Sequence, residues 1–148
     1  MARLAGQVLV LLGVSILLGL VTNALRSEGI DWGGRDPERF RHPDVEFVST
    51  DEAAPLQSQS TTLFLDARTP AEFSAQHVFG AVSLPAGSLD GAYAELRDFL
   101  APEMELIVYA GDTMSAVRVA KYLSERGYKA RVLEGGWEAW QDERLPME

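Results

Sequence analysis

The sequence contains no cysteine and only two histidines among its 148 residues. Without a thiol there is no disulfide, no thiolate metal ligand, no persulfide carrier and no cysteine nucleophile. The histidines, His42 and His77, form no recognisable metal-binding spacing. We therefore expect neither a metal nor a cofactor, and any catalysis by this chain needs another nucleophile.

Positive charge is also scarce. The chain has 13 basic against 22 acidic residues, and its formal net charge is −9. Residues 1–26 contain two arginines and no acid, so all of the acidic residues lie in the rest of the chain. Because nucleic-acid phosphates are bound by basic surfaces, this composition argues against a nucleic-acid partner.

The segment from Leu4 to Leu25 carries no charge at all over 22 residues. As a helix it would be about 33 Å long, which is enough to cross a hydrocarbon core of about 30 Å. Apolar residues occur on every face, unlike those of an amphipathic surface helix. The segment predicts one uncleaved membrane span within residues 1–25, with the lipid bilayer as the partner of residues 4–25.

Two other interpretations of this segment are open. A cleaved signal peptide is one, because Thr22-Asn23-Ala24 is similar to a small-residue cleavage site; against it, only Arg3 precedes the run, and signal peptides have an apolar region of about 7 to 15 residues. A buried core helix is the other, but a helix of a soluble domain normally turns one face to water. The uncleaved span is the favoured interpretation.

Residues 26–44 combine turn formers with mixed charge and predict a juxtamembrane linker. Its arginines weakly favour a cytoplasmic body by the positive-inside rule, but a short N-terminal tail with a translocated domain is an equally ordinary arrangement. The side of the membrane on which the body lies therefore stays open. The arginines concerned are Arg26, Arg35, Arg39 and Arg41.

From residue 45 onwards, short β-type runs alternate with helical ones. This alternation predicts an α/β domain over residues 45–148, with a mostly parallel sheet flanked by helices. The ligand site of such a sheet lies at the carboxyl ends of its strands, and the turn Ala110–Ser115 is the candidate. The predicted strands are Val45–Val48, Thr61–Leu65, Ala81–Leu84, Leu106–Tyr109 and Ala130–Leu133. The predicted helices are Asp51–Gln57, capped by Thr50 or Asp51, then Tyr93–Leu100, Ser115–Arg126 and one with Trp137 and Trp140.

Three ordered segments resemble the signatures of the rhodanese family. The segment LFLDARTPAEFSAQHVFGAVSLP, residues 63–85, resembles the first signature, with its Asp-x-Arg, Glu-Phe helix, histidine and Gly-Ala. LEGGWEAW, residues 133–140, resembles the closing signature, and LIVYAGDTMSAVRVAKYLSERGYKA, residues 106–130, resembles the active-site unit. The resemblance covers about residues 45–146 and implies a single rhodanese-like domain behind one transmembrane helix.

The resemblance implies a family chemistry that depends on a cysteine at the end of the central strand. Its thiolate takes a sulfane sulfur from a donor, holds it as a persulfide and passes it to an acceptor. The loop after it binds anions through backbone N–H groups and the start of the next helix. Alignment places Ala110 at the nucleophile position, so no catalytic residue is assigned. The candidate anion-binding loop comprises Ala110, Gly111, Asp112, Thr113, Met114 and Ser115.

Other residues of these segments have structural interpretations. Asp66 and Arg68 match family positions near the loop, and we expect them to pair and to brace it. His77 is expected to hydrogen-bond within a turn, and Ser115 to cap the following helix. A hydroxyl nucleophile at Ser115 or Thr113 would need a positioned base, and the sequence places none beside them. Trp137 and Trp140 are expected to close the core.

The leading functional expectation is a catalytically inactive, membrane-tethered binding or regulatory module, linked to sulfur or redox metabolism and with a small anion as a ligand. One alternative is a subunit or scaffold for an integral membrane partner. Another is a sulfurtransferase-like or phosphatase-like enzyme that works without cysteine.

Overall fold

A computed structural model of the protein describes residues 42–148. The predicted span at residues 4–25 and most of the predicted linker lie outside the described residues. In the described part, no helix has the length and apolar character needed to cross a membrane.

The described residues form a five-stranded parallel sheet in the order β1-β5-β4-β2-β3. The predicted α/β class with a parallel sheet is thereby confirmed. The pairing is set by apolar runs, with Leu65 opposite Val108 and Leu106 opposite Ala130. The strands are β1 (Glu46–Val48), β2 (Thr62–Asp66), β3 (Val82–Ser83), β4 (Glu105–Tyr109) and β5 (Lys129–Leu133).

Helices connect the strands, and several predicted boundaries were wrong, including those of the helix expected at Ser115–Arg126, which runs from Thr113 to Ser124. The cap of the first helix is Ser49, whose hydroxyl accepts the N–H of Glu52 at 3.3 Å. The helix expected at Tyr93–Leu100 begins four residues earlier, and a 3₁₀ turn at Arg97–Phe99 follows it. The helices are α1 (Thr50–Ala53), α2 (Pro70–Ala75), α3 (Leu89–Leu96), α4 (Thr113–Ser124) and α5 (Gly136–Asp142).

The sheet separates two apolar clusters. Successive residues of a strand point to opposite faces, so Leu106 and Val108 pack with α3 and α4 while Ile107 and Tyr109 pack with α5. Trp140 is fully buried in the second cluster, and its Nε1–H donates to the Pro146 carbonyl oxygen at 3.1 Å. Trp137 is buried beside it, as the sequence predicted.

This topology places a crevice between β2 and β4. The chain leaves β2 towards α2 on one face of the sheet, and it leaves β4 towards α4 on the other face. Ligands of open α/β sheets bind where neighbouring connections diverge in this way, outside the carboxyl ends of the strands.

Candidate functional site

A cavity of about 710 Å³ opens at the carboxyl ends of β2 and β4. Three segments form its walls: the loop after β2, the 3₁₀ turn after β3, and the loop after β4. Four of the six predicted loop residues line the cavity: Ala110, Gly111, Asp112 and Ser115. Thr113 and Met114 do not; Met114 is 59% exposed and lines a neighbouring groove.

Ala110 directly follows β4 and is 2% exposed. Its carbonyl oxygen accepts the N–H of Trp137 at 2.9 Å, so the loop is tied to the first turn of α5. This contact requires a glycine at 136, because a Cβ there would lie 2.3 Å from the Ala110 oxygen and the backbone φ is +56°. The double glycine before the tryptophan therefore fixes where Ala110 sits.

Asp112 caps the N-terminus of α4, and the prediction that Ser115 is the cap was wrong. The Asp112 carboxylate accepts the N–H of Ser115 at 2.8 Å, and its extended backbone begins the helix at Thr113. Aspartate and serine are equally good caps, so position relative to the turn decides between them. The positive end of α4 consequently carries a carboxylate of this chain.

The cap also adds a negative charge to the cleft. Hydrogen bonds from the side chain and N–H of Ser115 hold the pKa of the Asp112 carboxyl below its ordinary value, with a smaller contribution from Arg118. Asp112 is therefore ionised at neutral pH and is a poor proton acceptor. This weakens the case for Ser115 as a nucleophile, because a general base works best with a pKa near the working pH.

Arg118 is a cleft residue that the sequence analysis missed. Its guanidinium donates from Nη2 to the Ala86 carbonyl oxygen and links α4 to the 3₁₀ turn on the opposite wall. It lies one turn after Ser115 on the same helix face, so both line the cavity. The three-residue spacing between Ser115 and Arg118 is the sequence signal that could have placed Arg118 in the cleft.

Asp66 and Arg68 form a buried ion pair at the end of β2, as predicted. Arg68 Nη2 lies 2.6 Å from Asp66 Oδ2, Nε lies 3.0 Å from Oδ1, and the side chains are 6% and 0% exposed. Burial alone would lower the pKa of the Arg68 guanidinium, but the hydrogen bonds and charge of Asp66 outweigh it, so the pKa is raised. Arg68 is thus a fixed cation behind the cleft.

The same guanidinium organises its surroundings. It lies 4.0 Å from the ring centroid of Trp137 and 5.6 Å from that of Tyr109, and Nη2 donates to the Gln76 carbonyl oxygen at 2.7 Å. The backbone N–H of Trp137 in turn donates to the Ala110 carbonyl oxygen, so the ion pair is linked to the loop after β4 through one intermediate residue.

His77 has the structural environment expected of it. Nδ1 lies 2.8 Å from the Phe73 carbonyl oxygen, the ring stacks on Phe73, and Nε2 lies 3.4 Å from a carboxylate oxygen of Glu148. Among residues 42–148, no group of three or more histidine, aspartate and glutamate side chains is arranged to hold a metal ion.

Comparison with known proteins identifies the family. The family model for the rhodanese-like domain matches residues 49–143. This chain belongs to the rhodanese family.

Two comparisons with individual proteins add to this result. Over 44 residues the chain is 43% identical to the thiosulfate sulfurtransferase YnjE of Escherichia coli. The aligned segment covers 29% of this chain and 10% of that protein. The match thus spans about a tenth of the curated relative. A protein from Lactobacillus plantarum has the same fold, with 23% identity over 75% of this chain and 94% of its own and a TM-score of 0.61.

A third structure with this fold is that of EanB, whose bound ergothioneine is covalently linked with a persulfide. It is 22% identical over 71% of this chain and 28% of EanB, and the TM-score is 0.63. At this identity the likeness establishes the fold alone.

Replacing Arg68 by methionine should lower the free energy of unfolding by about 3–5 kcal/mol, because it leaves the Asp66 carboxylate buried without its partner. Urea denaturation followed by circular dichroism measures this. Arg97→Met is the matched control, since Arg97 and Asp98 form an exposed pair at 3.5 Å and such pairs contribute about 0–1 kcal/mol. Equal losses in the two variants would contradict the assigned role of Arg68.

Replacing Asp112 by alanine should cost about 1 kcal/mol at pH 7, because the start of α4 loses its cap. Since the pKa of Asp112 is lowered in the fold from 3.8, its contribution is present above that pH and is lost as the pH falls further. The difference between wild type and D112A in urea denaturation should therefore shrink below about pH 4. D112N, which keeps a capping side chain, should stay close to wild type at pH 7; a D112A difference that does not change with pH would contradict this role.

Proposed function

We propose that this chain is a membrane-anchored rhodanese-family domain without sulfurtransferase activity that works as a binding or regulatory module. One observation carries the proposal. Ala110, which we assign to the nucleophile position of the family, lines the cleft at the end of β4, and the chain contains no cysteine. A methyl group cannot lose a proton, attack a sulfur atom or hold one.

The charge of the cleft supports the same interpretation. A persulfide or a bound oxyanion places negative charge at the start of the helix that follows the loop, where N–H groups and the helix dipole favour it. In this chain the Asp112 carboxylate accepts the N–H of Ser115 at that place. A small anion in the loop Ala110–Ser115 must therefore compete with the carboxylate of Asp112 for the N–H of Ser115. Anion binding by this loop stays a prediction.

Sulfur or redox metabolism is the context that we propose for the module. A curated relative is a thiosulfate sulfurtransferase, and the domain keeps the buried Asp66–Arg68 pair and the Trp137 contact that position the loop. The proposed bilayer anchor is the uncharged segment at residues 4–25, and an integral membrane protein is the proposed partner. The side of the membrane is left open.

Sulfur transfer from thiosulfate to cyanide tests the first half of the proposal on the full chain in detergent micelles. We expect no thiocyanate above the protein-free rate from wild type. In A110C, the new thiolate should attack the sulfane sulfur of thiosulfate, form a persulfide and release sulfite, because position 110 lines the cleft. Intact mass spectrometry then detects the added sulfur, and cyanide removes it as thiocyanate.

A110S is the matched control, since it has the size of the cysteine variant and no sulfur. Thiocyanate formation by wild type that is lost on denaturation would overturn the proposed inactivity. A reactive thiol in A110C that takes no sulfur would indicate that the cleft has lost the donor site as well as the nucleophile.

The anchor is tested by alkaline extraction of membranes from cells that make the full chain. We expect the protein to remain in the pellet at its full mass of 16.2 kDa, because such a long apolar segment partitions into the bilayer. A variant lacking residues 4–25 should move to the supernatant. Recovery of the wild-type protein in the supernatant, with its N-terminus shortened, would indicate a cleaved signal peptide and overturn the anchor.

A further inference from the structure

Arg118 carries a positive charge that has no ion-pair partner in the described part of the chain. Its guanidinium donates to the Ala86 carbonyl oxygen, which is an uncharged acceptor. Among residues 42–148, no carboxylate forms an ion pair with Arg118. The other cation that lines the cleft, Arg68, is paired with the buried Asp66. An anion that enters the cleft therefore meets the guanidinium of Arg118 without having to displace a carboxylate from it.

The two carboxylates that line the cleft have other partners. Glu72 accepts the N–H of Thr69 at 3.0 Å, and Asp112 accepts the N–H of Ser115 at 2.8 Å. Each of these hydrogen bonds belongs to the start of a helix, α2 for Glu72 and α4 for Asp112. Arg118 is consequently the group of the cleft that is best placed to bind an anion.

The floor of the cleft is made of small apolar side chains. Ala67, Ala86 and Ala110 line it and are 3%, 8% and 2% exposed, whereas Arg118 at its rim is exposed. The cavity volume of about 710 Å³ lies within the range of about 300–1,000 Å³ that is usual for small-molecule sites. A cation above an apolar floor of this size suits an organic anion with a nonpolar body.

Two hydroxyl groups lie on the walls beside Arg118. Ser115 is one turn before it on α4, and Ser88 belongs to the same 3₁₀ turn as Ala86, the acceptor of the guanidinium. The Ser88 side chain does not cap the helix that follows it. Both hydroxyls can therefore donate to an anion that Arg118 binds.

The geometry favours a planar anion. A guanidinium binds a carboxylate through two parallel N–H···O hydrogen bonds. A tetrahedral oxyanion is held instead by the backbone N–H groups at a helix start, and at α4 the Asp112 carboxylate already accepts the N–H of Ser115. The cation of the cleft lies one helical turn beyond that position.

We propose that the cleft binds a small organic carboxylate through Arg118 and the hydroxyls of Ser88 and Ser115, with the nonpolar part of the ligand on the floor around Ala110. The guanidinium then turns from the Ala86 carbonyl oxygen to the ligand, because a charged acceptor forms the stronger hydrogen bond. This inference rests on the proposed binding role of the domain and names the ligand class of its cleft. It involves no covalent step.

Benzoate is the probe, added to the ¹⁵N-labelled full chain in detergent micelles and followed by amide chemical shifts. We expect saturable shifts at Gly87, Ser88 and Ser115. R118Q should raise the Kd roughly tenfold, since it removes a charge-assisted hydrogen bond. R118K keeps the charge without the planar fork and should bind between wild type and R118Q. R97Q is the matched control, because Arg97 is an exposed arginine that does not line the cleft, and it should bind as wild type does.

Two further ligands test the charge and the shape of the anion. Benzamide has the shape of benzoate without its charge, and thiosulfate is tetrahedral; both should bind wild type more weakly than benzoate. Circular dichroism establishes that each variant is folded. Equal Kd values for R118Q and wild type, or a benzamide affinity equal to that of benzoate, would overturn the proposal, and tighter binding of thiosulfate would overturn the ligand class. These measurements are separate from thiocyanate formation, so failure of the carboxylate site is distinguished from failure of the proposed inactivity.

Discussion

The buried pair of Asp66 and Arg68 is the interaction on which the rest of the cleft depends. Two opposite charges at the end of β2 are removed from water together, and their mutual attraction outweighs the cost of burial for the guanidinium. The plane of that guanidinium then supports Trp137, which fixes the carbonyl of Ala110. The geometry of the loop after β4 is therefore set in part by residues that lie outside the loop.

This separation explains how the fold persists without a thiol. The loop after β4 is held by backbone hydrogen bonds, such as that from the N–H of Trp137 to the Ala110 carbonyl oxygen, and these bonds need no thiol. At the start of α4, Asp112 supplies a negative charge of its own. The cleft of this chain is thus a concave surface in which the carboxylate of Asp112 offsets the positive end of α4.

The fold followed from the sequence because apolar runs and turn residues are local signals. β4 was predicted at Leu106–Tyr109 and begins one residue earlier; a charged residue is tolerated there because Glu105 pairs with Arg131 of the adjacent strand. The partner of Glu105 depends on which strand lies beside β4, and local composition does not reveal it. The tryptophans of α5 were correctly placed in the core, where Trp137 is 8% and Trp140 0% exposed.

The details of the site depended on contacts between distant segments. Ser115 and Asp112 are both competent caps, and only the backbone conformation at residue 112 selects the aspartate. Arg118 shares a helix face with Ser115, but its contact with Ala86, which lies in another loop, is what makes it part of the cleft. The close approach of Gly136 to Ala110 is likewise a tertiary contact.

The sheet order also has a mechanical consequence. The first strand along the chain, β1, is an edge strand held to β5 by three register pairs. The cleft is formed at β2 and β4, further inside the sheet. Tension applied to the chain before residue 42 is taken up first by the Asp44–Lys121 ion pair and then by the β1–β5 ladder. The β1 edge, with three register pairs, is expected to separate before the β2–β4 ladder, which has five and borders the cleft.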